Sequence, residues 1–322
     1  MPITAVLFDA DGRDTRFEVA AGLPEPGEHQ LLWVDVQGTD AAALAREVGG
    51  LPLEDAAREF LCRQDARPAL HHRERQVLLS VSGVQKGQHR YVAVPLNIVA
   101  RQNVVFTARV GALDFLDHFR QGLQGDSQLG RLDSAAFLAV LLYHHIEGYH
   151  QQLTPLEDSI DRLDEGILHE RRRDRQHMET LVALRRRVSD LRRLLSAHRL
   201  VYAGLASPDF VVFAGDQPEA MLTRLFGQYE RAQEAIGHTR DMMLGSFDLH
   251  MTHTGQRTNE IMRVLTVVTV ALGLIAAVAG LMGMNFQADI FKSGNVGFRD
   301  VLLLSAGLIA ATVGLGRWRG WL

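Results

Sequence analysis

The chain is short of the features that would commit it to several common classes. Among its 322 residues there is one cysteine, Cys62, so an internal disulfide framework is excluded and a reducing compartment is expected. Neither sign of charge is in excess. The 34 Lys and Arg face 38 Asp and Glu, a formal net charge of −4, which gives no electrostatic basis for a nucleic-acid partner. The opening stretch, MPITAVLFDADGRD, has only a short apolar run before Asp9 and no basic residue ahead of it. It does not read as a secretory signal, and the N-terminal region is expected to stay in the cytosol. Walker A, G-x-G-x-x-G and G-x-S-x-G patterns are missing, so nucleotide hydrolysis and esterase chemistry have no sequence support, and no cofactor is expected.

Long uncharged runs are present, and there are two of them. Val264 to Asn285 reads VLTVVTVALGLIAAVAGLMGMN, 22 residues without a charged side chain. As an α-helix it would extend about 33 Å, enough to cross the hydrocarbon core of a bilayer. Val301 to Gly316 is a second run of 16 residues. It is at the short end for a span, but Arg317 and Arg319 can snorkel while Trp318 and Trp321 sit at the interface. Two membrane spans are therefore expected, at about 262–284 and at 301–318, with an external loop 286–300 between them. The tail, 319–322, then returns to the side of the N-terminus, and its arginines agree with the positive-inside tendency.

Ahead of the spans the pattern changes once. Residues 1–130 read as an α/β domain: Ile3–Phe8 and Thr15–Val19 flank an acidic turn, and Leu31–Val36, Gln76–Val84, Tyr91–Ile98 and Asn103–Thr107 read as further strands. Two short helices, Asp40–Val48 with Asp40 as N-cap and Leu53–Phe60, fall between them. Mixed strands and helices in this order predict an α+β fold with a mixed sheet. Residues 131–207 read as long antiparallel helices. Ala135–His150 is expected to be amphipathic, and Leu153, Leu156, Ile160, Leu163 and Ile167 keep a helical spacing. After a charged bend at Glu170–Arg175, Met178–Leu205 resumes with Leu181, Leu184, Val188, Leu191, Leu195 and His198, and Pro208 ends it. Pro218 opens a stalk helix, 218–285, expected to be continuous with the first span. Its seam, Leu222, Leu225, Tyr229, Ala232, Ile236, Thr239 and Met243, resembles that of a coiled coil and turns polar at Ser246, His250 and His253.

Three groups of residues invite a chemical reading. LFDADGRDT resembles motif I of haloacid-dehalogenase-type phosphatases, but Arg13 occupies the threonine position and a strand follows where that fold needs an insertion and a helix. An acidic hairpin turn is the expected reading, with a membrane-anchored phosphatase as the low-ranked alternative. His250 and His253, with Asp241 and Asp248, are candidates for a cytosolic metal site or for a vestibule that only an oligomer would complete. The third group lies in the first span. Asn259, Met262, Thr266, Thr269, Gly273, Ala276, Gly280 and Gly283 recur at steps of three and four on one helix face. Spacing alone leaves this face open to two readings, a small-residue packing seam between helices or a pore lining.

Gly283-Met284-Asn285 ends that span, and here the chain resembles the CorA family of two-span divalent-cation channels. Thr258–Thr266, Leu156–Leu168 and the closing Arg317-Trp318-Arg319-Gly320-Trp321-Leu322 are also similar to that family. The resemblance implies a homopentameric funnel of long helices in the inner (plasma) membrane, multi-pass, with both termini cytoplasmic and no enzymatic activity. It implies a pore lined by Gly283, Met284, Asn285, Gly280, Ala276, Gly273, Thr269 and Thr266. It places a gate at Asn259, Met262 and Leu265, and an asparagine ring at the outer mouth at Asn285. The transported cation would be Mg²⁺ or Zn²⁺, with Co²⁺ or Ni²⁺ further down. Departures from the magnesium members are Ala276 for a threonine, Arg224 for a stalk aspartate, and a loop in which Lys292 and Arg299 offset Asp289 and Asp300. Val201–Ser207 looks closer to the ZntB-like zinc branch, for which a proton-coupled Zn²⁺ transporter is the alternative.

Overall fold

The computed structural model describes residues 3–11, 13–17, 22–73, 76–88, 90–123, 133–169, 174–207, 210, 218–284 and 294–320. They divide into two compact units, Met1–Gly166 with Arg175–Ser246, and Ile167–Asp174 with Phe247–Leu322.

The first unit is built on one mixed seven-stranded sheet. Its strands are β1 (Ile3–Asp9), β2 (Thr15–Phe17), β3 (Gln30–Gly38), β4 (Ala69–Arg73), β5 (Gln76–Lys86), β6 (Tyr91–Arg101) and β7 (Val104–Val110), in the spatial order β2-β1-β3-β7-β6-β5-β4. Only β3 and β7 run parallel. The β3 sequence LLWVDV is apolar on both faces because both faces are covered, where a half-solvated strand would alternate. Leu32, Val34 and Val36 join a core completed by α1 (Ala41–Gly49) and α2 (Asp55–Leu61) through Leu44, Val48, Phe60 and Leu61. On the opposite face Trp33 meets Phe119 of α3 (Asp114–Gly122) at 5.5 Å and Phe137 of α4 (Ser134–His150) at 5.7 Å. Asp40 caps α1 as its spacing predicts, its carboxylate accepting the Ala43 amide N–H at 2.8 Å.

The structure adds one element and corrects two expectations. Strand β4 is added where the sequence pattern marks no element, because its HHR end is exposed at the sheet edge and carries no apolar alternation. Helix α4 is not amphipathic but buried nearly all round. It lies against β5, β6 and α3, and it also carries His145 and Tyr149 toward His198. The stretch Met178–Leu205 is interrupted, with α6 (Asp174–Ser196) and α7 (Arg199–Leu205) meeting at His198. There the chain tightens to a His198 N–H to Leu195 O bond of 3.0 Å, and the His198 Nδ1–H takes the freed Leu194 O at 2.8 Å.

The seam of the remaining helices follows the sequence spacing. Leu153, Leu156, Ile160, Leu163 and Ile167 on α5 (Leu153–His169) are buried. So are Leu181, Leu184, Val188, Leu191 and Leu195 on α6, and Leu222 through Met243 on α8 (Pro218–Met282). Polar cross-links fix the register: the Thr239 hydroxyl donates to Glu157 Oε1 at 2.8 Å and the Tyr229 hydroxyl to Leu195 O at 3.2 Å. Most of the charged bend expected at 170–175, and Pro208, lie outside the described residues.

The second unit contains the later part of α8 together with α9 (Gly294–Trp318), both long and apolar enough to cross a membrane. Residues 294–300, expected in the loop, are the first turns of α9, which starts at Gly294 with a φ of 57°. The external loop expected at 286–300 is thus partly helical, and its remainder, 286–293, lies outside the described residues.

Candidate pore face

Within the second unit one face of α8 is turned to α9. Val267 is buried and Ala271, Ile275, Val278 and Met282 are half-buried, while the residues between them are mostly exposed. On α9 the matching row is Gly297, Val301, Ser305, Leu308, Thr312 and Gly316. Both rows step by three and four, as two packed helices require.

The small-residue stripe is on the other side. At 100° per residue, the mean direction of Asn259 through Gly283 lies about 180° from that of the Val267–Met282 row. Asn259, Thr266, Thr269, Gly273, Ala276, Gly280 and Gly283 are all exposed in the single chain, as are Met262 and Leu265 at 54% each and Met284 at 46%. A Cβ built on Gly273 or Gly280 would meet nothing within 4 Å. Packing against α9 therefore does not require these residues to be small. The intrachain form of the packing-seam reading is removed, and the face is left for something outside the chain.

The chemistry of the face is neutral and acceptor-rich. The Thr266 hydroxyl donates to Met262 O at 2.7 Å and the Thr269 hydroxyl to Leu265 O at 2.8 Å. With its hydrogen committed to the helix, each hydroxyl presents only lone pairs outward. No charged residue lies between Val264 and Met284. Asn285 lies outside the described residues.

The candidate metal residues Asp241, Asp248, His250 and His253 divide between the two units. In the first unit Asp241 is exposed and paired with Arg240 at 2.9 Å. In the second, Asp248 is exposed, His253 half-buried and His250 buried at 5% exposure. Among the described residues no group of three or more His, Cys, Asp or Glu is arranged to hold a metal ion. Asp9 and Asp11 of the DADG tract lie where β2 returns antiparallel to β1: Asp9 accepts the Asp11 amide N–H at 3.0 Å and the Gln30 side-chain amide at 2.8 Å, and Asp11 pairs with His29 at 2.9 Å.

Two buried polar clusters in the first unit escaped the sequence reading. In one, Asp35 accepts from Arg109 Nη1 at 2.6 and 2.8 Å, from the Thr107 hydroxyl at 2.7 Å, and from Arg120 Nη2. In the other, His198 Nε2 accepts the Ser82 amide N–H at 2.8 Å. His145 Nε2–H donates to Ser82 O at 2.9 Å and its Nδ1 accepts the Tyr202 hydroxyl at 2.7 Å, while Tyr149 adds a 2.7 Å bond to Ser82 O. Burial pushes His145 down to about 4, and burial together with the His145 ring pushes His198 down to about 3. Both imidazoles are neutral, each with its tautomer fixed by its partners. The available signal was a lone charge in an apolar strand, LLWVDV and VVFTARV, and a histidine inside LLYHHIE.

Against known proteins, residues 28–316 match the family model described as CorA-like Mg²⁺ transporter protein. The chain belongs to the CorA family. That is a family of transport proteins, not of enzymes. The cobalt/magnesium transport protein CorA of Thermotoga maritima is 23% identical over 281 residues, 84% of this chain and 77% of that protein. Among solved structures, the CorA magnesium transporter from Methanocaldococcus jannaschii superposes with a TM-score of 0.78 at 18% identity, covering 99% of this chain and 98% of that one. The full-length CmaX protein gives 0.71 at 20% identity, covering 98% and 96%. At these identities the structural matches speak to the CorA fold: a mixed sheet with helices, a long helix and two C-terminal apolar helices.

Proposed function

We propose that five copies of this chain surround a common axis with the small-residue face of α8 and pass a hydrated divalent cation through the inner membrane. Both termini are on the cytosolic side. The observation that carries this reading is the orientation of the stripe, opposite the α9 contact and small without an intrachain reason to be small. Family membership supports Mg²⁺ as the first cargo to test.

The face suits that cargo physically. Mg²⁺ gives up its water reluctantly, so a pore that passes it hydrated must accept hydrogen bonds from the water shell. Thr266 and Thr269 offer lone pairs, Gly273, Ala276 and Gly280 leave width, and Gly283 and Asn285 supply amide oxygens at the outer end. Met262 and Leu265 form an apolar constriction that closes by dewetting, with Asn259 as a polar ring beneath it. Arg224, exposed on α8, stands where a cation-binding carboxylate would be needed for sensing, so control by cytosolic Mg²⁺ is weak. Asp241 and Asp248 concentrate cations at the cytosolic entrance.

The test is flux into proteoliposomes. Uptake of Mg²⁺ that Asn285→Ala abolishes while the pentamer persists supports the reading, and normal flux in that variant removes it. Competition among Mg²⁺, Zn²⁺ and Co²⁺ under a pH gradient ranks the cargo. Zn²⁺ uptake that follows the proton gradient would favour the proton-coupled alternative, for which neither uncharged run supplies a carboxylate relay.

A further inference from the structure

In the second unit, a groove of about 320 Å³ runs between α8 and α9 along the flank of α8 that lies between the α9-facing row and the small-residue stripe, meeting the stripe at Thr266. Its walls are Val267 and Val270 on α8 and Leu308, Ala311 and Leu315 on α9. Thr266 and Thr312 also border it, but their hydroxyls donate to Met262 O at 2.7 Å and Leu308 O at 2.8 Å, so neither offers a free donor. The remaining polar side chain is Arg319, at the end where α9 finishes. Arg319 is exposed and makes no ion pair among the described residues. Arg263 stands one helical turn before Val267 on the same α8 face, also exposed and without an ion pair among the described residues. The groove is thus lined by hydrocarbon, with Arg319 as the one charged side chain among its lining residues and Arg263 a turn below, next to the exposed Glu260.

We propose that this groove binds an anionic phospholipid, with an acyl chain along Val267, Val270, Leu308 and Leu315 and the headgroup phosphate on Arg319. Charge complementarity selects the occupant. Both helices are membrane-crossing, so the groove faces lipid, and a guanidinium at the interface pairs with phosphate in a bidentate fork. Arg317 and Arg319 also complement the negative C-terminal end of α9, whose last turn closes with the Gly320 N–H on Arg317 O at 3.1 Å. That role accounts for the charge but not for an apolar channel leading to it. The proposal rests on the membrane spans and not on which ion the protein passes.

The full chain would be reconstituted in vesicles of equal phosphatidylglycerol and phosphatidylcholine, extracted in mild detergent, and its retained lipids counted by native mass spectrometry. Wild type is expected to keep phosphatidylglycerol over phosphatidylcholine by about fivefold, the worth of one interfacial arginine. Arg319→Gln should bring the ratio near parity and Arg317→Gln should leave it. Ala311→Phe, which fills the groove from an exposed position, should remove the retained phosphatidylglycerol with Arg319 still present. Equal retention of the two lipids by wild type, or an unchanged preference in Arg319→Gln, overturns the proposal. So does a cross-link between copies through Ala311→Cys in a Cys62→Ser background with no lipid retained, which would mean that a second copy fills the groove. Should a variant fail to fold, the wild-type ratio still decides.

Discussion

Acid should unfold the first unit through His145 and His198 before its carboxylates are titrated. The perturbation is a shift from pH 7 to pH 5. In the folded chain the two rings titrate at about 4 and about 3, whereas in the unfolded chain each titrates near 6.5. Their folded values are depressed, so the stability they contribute is fully present above the unfolded value. It declines as the pH falls below 6.5 and is exhausted at the folded values. At pH 5 the unfolded chain has bound nearly two protons that the folded chain refuses, so each ring costs about 2 kcal/mol relative to pH 7, and the pair about 4 kcal/mol. The result depends only on both folded values lying below 5. Trp33, 1% exposed in the sheet core, reports the transition once Trp318 and Trp321 are replaced by phenylalanine. Denaturant unfolding of the full chain in detergent, followed by Trp33 emission at pH 7, 6 and 5, gives the slope. His198→Gln should lower stability at pH 7 and flatten the slope by about one proton. A pH-independent stability between 7 and 5, or an unchanged slope in the variant, would refute the neutral buried pair.

Two further outcomes follow from the packing of the two units, each taken by itself. Replacing Arg109, fully buried against Asp35, by methionine leaves that carboxylate with Arg120 and Thr107 only, and should cost about 3–5 kcal/mol in the Trp33 transition. A loss within a fraction of a kcal/mol would mean that the cluster is not held as described. Gly280→Leu adds a side chain where a Cβ meets nothing within 4 Å, so the variant should fold and assemble like wild type. Its flux should nevertheless fall at least tenfold, because the side chain enters the lumen, and undiminished flux would place Gly280 against lipid instead.

Much of the fold was legible because it is written in periodicity. The α5, α6 and α8 seams and the Asp40 cap follow from apolar spacing or a single capping residue, and the structure buries or caps those same positions, while the two spans follow from long uncharged runs that the structure folds as helices. Strand β4 was not legible because an exposed edge strand owes its place to backbone pairing with β5, which leaves no mark on its side chains. The break at His198 and the Asp35–Arg109–Arg120 cluster arise from partners 74 to 116 residues away in sequence. No local pattern carries such a pairing. For the pore face, spacing located the stripe but could not say which side α9 would cover. That choice between a packing seam and a free face needed the α8–α9 contact.

In the proposed pore the stripe on α8 lines a water-filled path. A single-cysteine scan of positions 262–284 in a Cys62→Ser background, with flux read before and after a membrane-impermeant thiol reagent, tests it most directly. Cysteines at Met262, Thr266, Thr269, Gly273, Ala276 and Gly280 should react and lose flux, while those at Ala271, Ile275 and Val278 should be silent. Reactivity centred on the Val267–Met282 row, or no periodicity along the helix, would contradict the account.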